Sequence, residues 1–118
     1  MESERSIALP EIKKVDSKEF LELINNGNDY QIVDVNEQAL DFKLSGNVLH
    51  IPFSKLDEQQ KKLDKDKALI LICKFGEKSF FAAALLQQNY GFRNLVSLTG
   101  GMETLNKLLD EKKPEVRR

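Results

Sequence analysis

The segment that most limits how this chain can fold is Ala68-Leu69-Ile70-Leu71-Ile72, five apolar residues in a row between Lys67 and Cys73. A strand with one wet face alternates apolar and polar residues. An unbroken run of strand length needs cover on both faces, the situation of a central strand in a parallel sheet flanked by helices. Tyr30 to Val35 is short, β-branched and nearly continuous, and reads as a second strand of this kind. Val48-Leu49-His50-Ile51, stopped by Pro52, reads as a third, Asn94 to Leu98 as a fourth, and Lys13 to Asp16 as a short edge strand.

Helical patterns fall between these strands. Phe20, Leu21, Leu23 and Ile24 follow an N-cap at Asp16 or Ser17, and Gly27 closes that helix. Asn36 to Leu44 predicts a short helix broken by Gly46. The charged stretch 53–67 predicts a short exposed helix or turn, with Leu56 and Leu63 turned inward. Ser79 to Tyr90, with Phe81, Ala82, Leu85 and Leu86, predicts a helix capped by Gly91, and Met102 to Leu109 a last one after a turn at Thr99-Gly100-Gly101. Strands alternating with helices specify an α/β domain: a mainly parallel central sheet with helices on both faces. The 118 residues suit one domain, expected over 13–111, with residues 1–12 as a flexible tail or linker and 112–118 as a C-terminal tail.

Composition removes most functional classes. A net charge of −1 leaves no electrostatic footprint for nucleic acid or an acidic membrane surface. No apolar run approaches the ~20 residues of a membrane span, and Met-Glu-Ser-Glu-Arg lacks the apolar core of a secretory signal. The single cysteine, Cys73, excludes an internal disulfide, a CxxC redox pair and a Cys-rich zinc site, and suits a reducing, cytoplasmic setting. The single histidine, His50, cannot build a metal cluster alone, and no metal or organic cofactor is expected. Chemistry in this chain centres on Cys73, on His50 or on carboxylates.

Cys73 has a position with physical consequences. Parallel sheets gather ligands at the carboxyl ends of their strands, and Cys73 ends the most apolar one. The segment Cys73 to Lys78 then leads into a helix N-terminus. Backbone N–H groups of a tight loop converge there, and the helix dipole adds partial positive charge. Lys74 and Lys78 add more if they point inward. Such surroundings favour the thiolate, the nucleophilic form of cysteine, and would also hold an anion or a persulfide. The alternative is an inert core cysteine, a common fate for this residue after an apolar strand. Gly76 weighs against it, because a core cysteine has no need of a glycine-bearing loop directly after it.

At these residues the sequence resembles a family. Cys73-Lys74-Phe75-Gly76-Glu77-Lys78-Ser79 resembles the active-site loop of rhodanese-like domains, Cys-x-x-Gly-x-Arg-Ser. Ile32-Val33-Asp34-Val35-Asn36-Glu37 is similar to the family's Asp-Val-Arg-Glu strand end, Gly46 to Pro52 to its Gly-Ala-x-x-Ile-Pro segment, and Val96 to Met102 to its terminal strand and Gly-Gly turn. The four landmarks fall in order across residues 13 to about 110. The resemblance implies a rhodanese fold and a sulfurtransferase whose Cys73 carries a sulfane sulfur from thiosulfate or a protein persulfide to a thiophilic acceptor. Residues Lys74, Phe75, Gly76, Glu77, Lys78 and Ser79 would form the anion-binding loop. The implied partners are a small sulfur donor or a protein persulfide, and a sulfur-carrier protein as acceptor if the domain is of the kind appended to ubiquitin-activating-type enzymes. A second reading on the same fold is a non-catalytic binding or regulatory module.

The sequence departs from the family pattern at Lys78, Asn36 and Leu105, where the family has Arg, Arg and often Trp, and it lacks the Gly-His-Ile element. Lysine keeps the charge but not the bidentate fork suited to thiosulfate. Related phosphatases use Cys-x5-Arg; here the sixth position after Cys73 is Ser79, which argues against phosphate or arsenate chemistry. His50 as a papain-like base is disfavoured in so small a domain. Asp34 is expected near the site in a structural role, bonding the backbone of a neighbouring loop. Of the adjacent Phe80 and Phe81, one is expected inward and one exposed, with Phe75 at the substrate mouth.

Overall fold

The computed structural model describes residues 12–26, 29–39 and 48–112. Five strands form one sheet: β1 (Lys13–Val15), β2 (Tyr30–Asp34), β3 (Val48–His50), β4 (Ala68–Ile72) and β5 (Leu95–Leu98). Their spatial order is β1-β5-β4-β2-β3, and every pairing is parallel. The apolar run is the centre of the sheet, as its composition requires. Tyr30 to Asp34 of β2 stands opposite Ala68 to Ile72 of β4, and Leu69 to Leu71 opposite Leu95 to Ser97 of β5.

The side-chain period of two sorts that run onto two faces. Leu69, Leu71 and Cys73 join Val33, Val35 and Leu95 in one core cluster, covered by α2 (Leu56–Gln59) and α3 (Glu77–Tyr90) through Leu56, Ala82, Ala83 and Leu86. Ile70 and Ile72 join Ile32, Val96 and Leu98 in the other, covered by α1 (Ser17–Asn25) and α4 (Gly101–Lys112) through Phe20, Met102 and Leu105. Leu69 to Ile72 are buried on both faces, so alternation there would have cost stability rather than gained solubility.

Local signals set most boundaries. Asp16 is the N-cap of α1 in a reciprocal capping box: its Oδ1 accepts the Glu19 N–H at 2.9 Å, and Glu19 Oε1 accepts the Asp16 N–H at 3.1 Å. The stretch 53–67 holds α2 between two short 3₁₀ turns, with Leu56 and Leu63 buried as expected.

Several boundaries differ from the sequence reading. Asn36 to Gln38 form bends and not the start of a helix; residues 40–47, with Leu40, Leu44 and Gly46, lie outside the described residues, as does Gly27. Helix α3 begins at Glu77, two residues earlier than expected, so Glu77 and Lys78 belong to its first turn. Phe81, read as part of its apolar face, is 61% exposed. Helix α4 starts at Gly101 and runs to Lys112, one residue into the expected tail, and Ile12 packs on the core rather than belonging to a tail. The remainder of both expected tails, 1–11 and 113–118, lies outside the described residues.

Candidate active site

Cys73 lies one residue past the carboxyl end of β4, on the α3 face, and is 2% exposed. Its Sγ accepts two backbone hydrogen bonds, from Gly76 N–H at 3.0 Å and from Ser79 N–H at 3.1 Å. Ser79 is the third residue of α3, a position whose N–H has no partner inside the helix. The sulfur therefore fills the role that a serine or aspartate oxygen fills at an ordinary N-cap. The cap residue itself, Gly76, has φ of 98°, a conformation that bends the loop back over the sulfur. A Cβ there would stand 2.8 Å from the Gly100 N.

The loop rests on the turn after β5. Cys73 C=O accepts the Met102 N–H at 2.8 Å, and Lys74 C=O accepts the Glu103 N–H at 2.9 Å. Gly101 makes this approach possible: its φ is 67°, and a Cβ there would fall 2.6 Å from Cys73 O and overlap the Lys74 carbonyl. Ser79 Oγ donates to Gly76 C=O at 3.1 Å, which leaves Ser97 Oγ of β5 as the donor in the buried 2.9 Å bond between the two hydroxyls. The Gly-Gly turn and Ser97 thus fix the loop from the β5 side.

On the β2 side, Asp34 is buried and its Oδ1 accepts from Asn36 N–H at 2.9 Å and Asn36 Nδ2 at 2.8 Å. Asn36 Oδ1 in turn accepts the Lys74 N–H at 3.2 Å. Asp34 is expected to bond the backbone of a neighbouring loop; it accepts the Asn36 N–H in the loop after β2, and Asn36 links it to the Cys73 loop. His50 Nε2 donates to Asn36 C=O at 2.7 Å, a commitment unlike that of a base paired with Cys73.

The charged and aromatic residues divide. The Lys74 ammonium sits over the Phe75 ring at 5.2 Å from its centroid, directed along the loop surface rather than inward. Phe75 is 60% exposed at the mouth. Glu37 is held below the ordinary carboxylate range, first by the Ser54 hydroxyl at 2.6 Å and the Ser54 N–H at 3.0 Å, with the Lys78 ammonium adding to the effect. Lys78 itself is half-buried in the first turn of α3. Phe80 is the half-buried member of the aromatic pair, with the Lys14 ammonium 4.7 Å from its ring centroid. A groove of about 230 Å³ beside the loop is lined by Gly76, Glu77, Phe80, Phe81, Ser97 and Thr99, together with Lys14.

Sequence reasoning brought Cys73, Gly76 and Ser79 to one point. It missed Asn36 and Ser97 as supports. Each carries a signal in hindsight: Asn36 stands two residues after a strand-end aspartate, and Ser97 is the polar residue of an otherwise apolar strand.

The family model of the Rhodanese-like domain matches residues 16–108, the span from the α1 cap into α4. A protein named Thiosulfate sulfurtransferase GlpE, from Coxiella burnetii, is 34% identical over 93 residues, covering 78% of this chain and 85% of the relative. A Bacillus subtilis protein named Putative sulfur carrier protein YrkF is 28% identical over 106 residues, 85% of this chain and 52% of its own length. The crystal structure of a rhodanese-related protein from Thermoplasma volcanium superposes with a TM-score of 0.65 at 26% identity, covering 88% of this chain and 97% of that one. A parallel sheet whose central strand ends in a loop-held cysteine, matched across nearly the whole described chain, leads to one assignment: the chain belongs to the rhodanese-like domain family.

Proposed function

We propose that this chain is a sulfurtransferase that carries sulfane sulfur as a persulfide on Cys73. Sulfur transfer in general is supported by the family and by relatives named for it. The choice of Cys73 as carrier rests on one observation, the two N–H groups that converge on its sulfur. Two N–H donors aimed at one sulfur hold it in place as the attacking atom and can hold the persulfide that forms on it.

The reaction has two displacement steps. In the first, the Cys73 thiolate attacks the outer sulfur of a donor. A new S–S bond forms, the donor's own bond to that sulfur breaks, and the electron pair leaves with the donor remnant: sulfite from thiosulfate, or a thiolate from a protein persulfide. In the second, an acceptor nucleophile attacks the outer sulfur, and the electron pair of the breaking S–S bond returns to Cys73 as thiolate. No net oxidant is needed, and ping-pong kinetics follow. The chain has no second cysteine to resolve the persulfide, so the acceptor is external: cyanide, a thiol or a protein. The likeness to a protein named as a sulfur carrier supports a protein partner of that kind. Lys78 offers a point charge rather than a fork, which favours a protein persulfide over thiosulfate as the donor.

Intact-protein mass spectrometry tests the proposal. After incubation with thiosulfate or a protein persulfide, wild type gains one sulfur atom that cyanide removes, and Cys73→Ala gains none. A wild type that takes no sulfur from either donor would overturn it.

A further inference from the structure

A chain of side-chain hydrogen bonds runs from the buried Asp34 to the peptide that bears the nucleophile. Asp34 Oδ1 takes the Asn36 Nδ2 at 2.8 Å, and Asn36 Oδ1 takes the Lys74 N–H at 3.2 Å. The chemistry fixes the orientation of the amide, because the flipped form would set oxygen against carboxylate and NH₂ against N–H. The backbone of Asn36 is held as well, its N–H by Asp34 Oδ1 and its carbonyl by His50 Nε2 at 2.7 Å.

The Lys74 N–H belongs to the same peptide unit as the Cys73 carbonyl, and that carbonyl is bonded to the Met102 N–H at 2.8 Å. A peptide unit is planar. With both its ends held, ψ of Cys73 and φ of Lys74 are set, and so is the entry into the loop whose Gly76 and Ser79 N–H groups meet the sulfur. The Met102 end is supplied by backbone. Asn36 is the side chain that encodes the other end, 38 residues away in sequence.

We propose that Asn36 is the positioning residue of Cys73, its amide clamping the Lys74 N–H to buried Asp34 and so fixing the plane of the peptide that carries the nucleophile. The inference rests on the reading of Cys73 as the sulfur carrier. Asn36 acts through Lys74 and not on the sulfur. Lys74 is exposed, so water can satisfy its N–H once Asn36 is lost. Removal therefore frees the peptide to rotate while leaving the apolar core packed; it also takes one donor from the buried Asp34 carboxylate, so the urea midpoint is expected to fall as well, and the rates are read well below the unfolding transition.

The test compares wild type, Asn36→Ala and Asn36→Asp between pH 5 and 8. Two rates are read at the sole cysteine, alkylation by iodoacetamide and sulfur uptake from thiosulfate, with the urea midpoint alongside. Asn36→Ala is expected to slow both rates about three- to tenfold, the worth of one hydrogen bond to an ordered group. Asn36→Asp keeps an acceptor for Lys74 but sets a second carboxylate against Asp34. Two carboxylates so close hold one proton between them to a higher pH than either would alone. At pH 5 a shared proton replaces the lost amide donor and the rate, relative to wild type, is close to one. By pH 8 that proton is gone, and the ratio falls towards that of Asn36→Ala. Besides that carboxylate pair, the charged groups around the site are His50 of β3, Glu37 beside Asn36, Lys74 in the loop and Lys78 in the first turn of α3; these are shared with wild type, so a change in the ratio with pH reports the carboxylate pair.

An Asn36→Ala protein as reactive as wild type, or an Asn36→Asp ratio flat across pH, overturns the inference. If Asn36→Ala does not fold, Asn36→Asp at the two pH values decides within one protein. The two readings separate cleanly. Slowed alkylation in a chain whose wild type takes no sulfur refutes the sulfur-carrier role and keeps the clamp; normal uptake by Asn36→Ala refutes the clamp and keeps the carrier.

Discussion

Replacing Gly101 with alanine sets a measurable cost on the turn that supports the Cys73 loop. The new Cβ would lie 2.6 Å from Cys73 O and overlap the Lys74 carbonyl. Those two carbonyls accept the Met102 and Glu103 N–H bonds at 2.8 and 2.9 Å, so relieving the overlap strains both. Two backbone hydrogen bonds are worth about 1–3 kcal/mol together. The left-handed backbone at φ of 67° adds about 1–2 kcal/mol for any residue with a Cβ. The expected loss is about 2–5 kcal/mol, which at an m-value of about 1–3 kcal/mol/M lowers the urea midpoint by about 1 M or more. Gly91→Ala is the matched standard. Its φ is 74° and no atom lies within 4 Å of its added Cβ, so it should lose only the conformational part, about 1–2 kcal/mol. Urea unfolding of both variants, with sulfur uptake measured on each below its transition, separates the two contributions. Equal midpoints for the two variants, or unimpaired uptake by a destabilised Gly101→Ala, would refute the idea that contact with the Cys73 loop is what Gly101 is for.

Cys73→Ala removes the acceptor of two N–H groups, one of them on fully buried Ser79, and should cost about 1–2 kcal/mol; Cys73→Ser restores an oxygen cap, so urea unfolding should recover part of that loss without sulfur uptake. Glu37 is held below its ordinary value of 4.5 mainly by Ser54. A lowered carboxylate contributes stability that is present above the unfolded-state value and is lost as pH falls through the folded one. Urea midpoints should therefore show wild type ahead of Ser54→Ala at neutral pH, with the lead shrinking below about pH 4.5; a lead that grows on acidification would contradict this.

How much of the molecule the sequence made legible depends on the range of the interaction. The run from Ala68 to Ile72 announces a central strand because five apolar residues are all that two covered faces require. The start of α3 was misjudged by two residues for a specific reason. Helix-start rules look for Ser, Thr, Asp or Asn at the cap, which draws attention to Ser79, whereas here the cap is a left-handed Gly76 and the acceptor is a sulfur three residues before it. The adjacent Phe80 and Phe81 differ by about 100° around the helix, so one inward and one exposed ring is expected, but which is which depends on how α3 docks: Phe80 is half-buried and Phe81 is 61% exposed. Asn36 was noted as a departure from the family pattern. Its bond to Lys74 joins the loops after two neighbouring strands at the carboxyl end of the sheet, 38 residues apart, where no local pattern extends.

These observations converge on a division of labour around one atom. Backbone donors hold the sulfur, and donors of this kind do not depend on which side chains occupy the loop. Gly76 and Gly101 are sterically required, one facing the Gly100 N and the other the Cys73 and Lys74 carbonyls. The side chains of the loop itself lie on its outer side: Phe75 is exposed at the mouth and the Lys74 ammonium lies over its ring. Substitutions there should change which donor or acceptor is preferred. Substitutions at Gly76, Gly101 or Asn36 should change whether the cysteine reacts at all, because they alter the peptide geometry that aims the N–H groups at the sulfur.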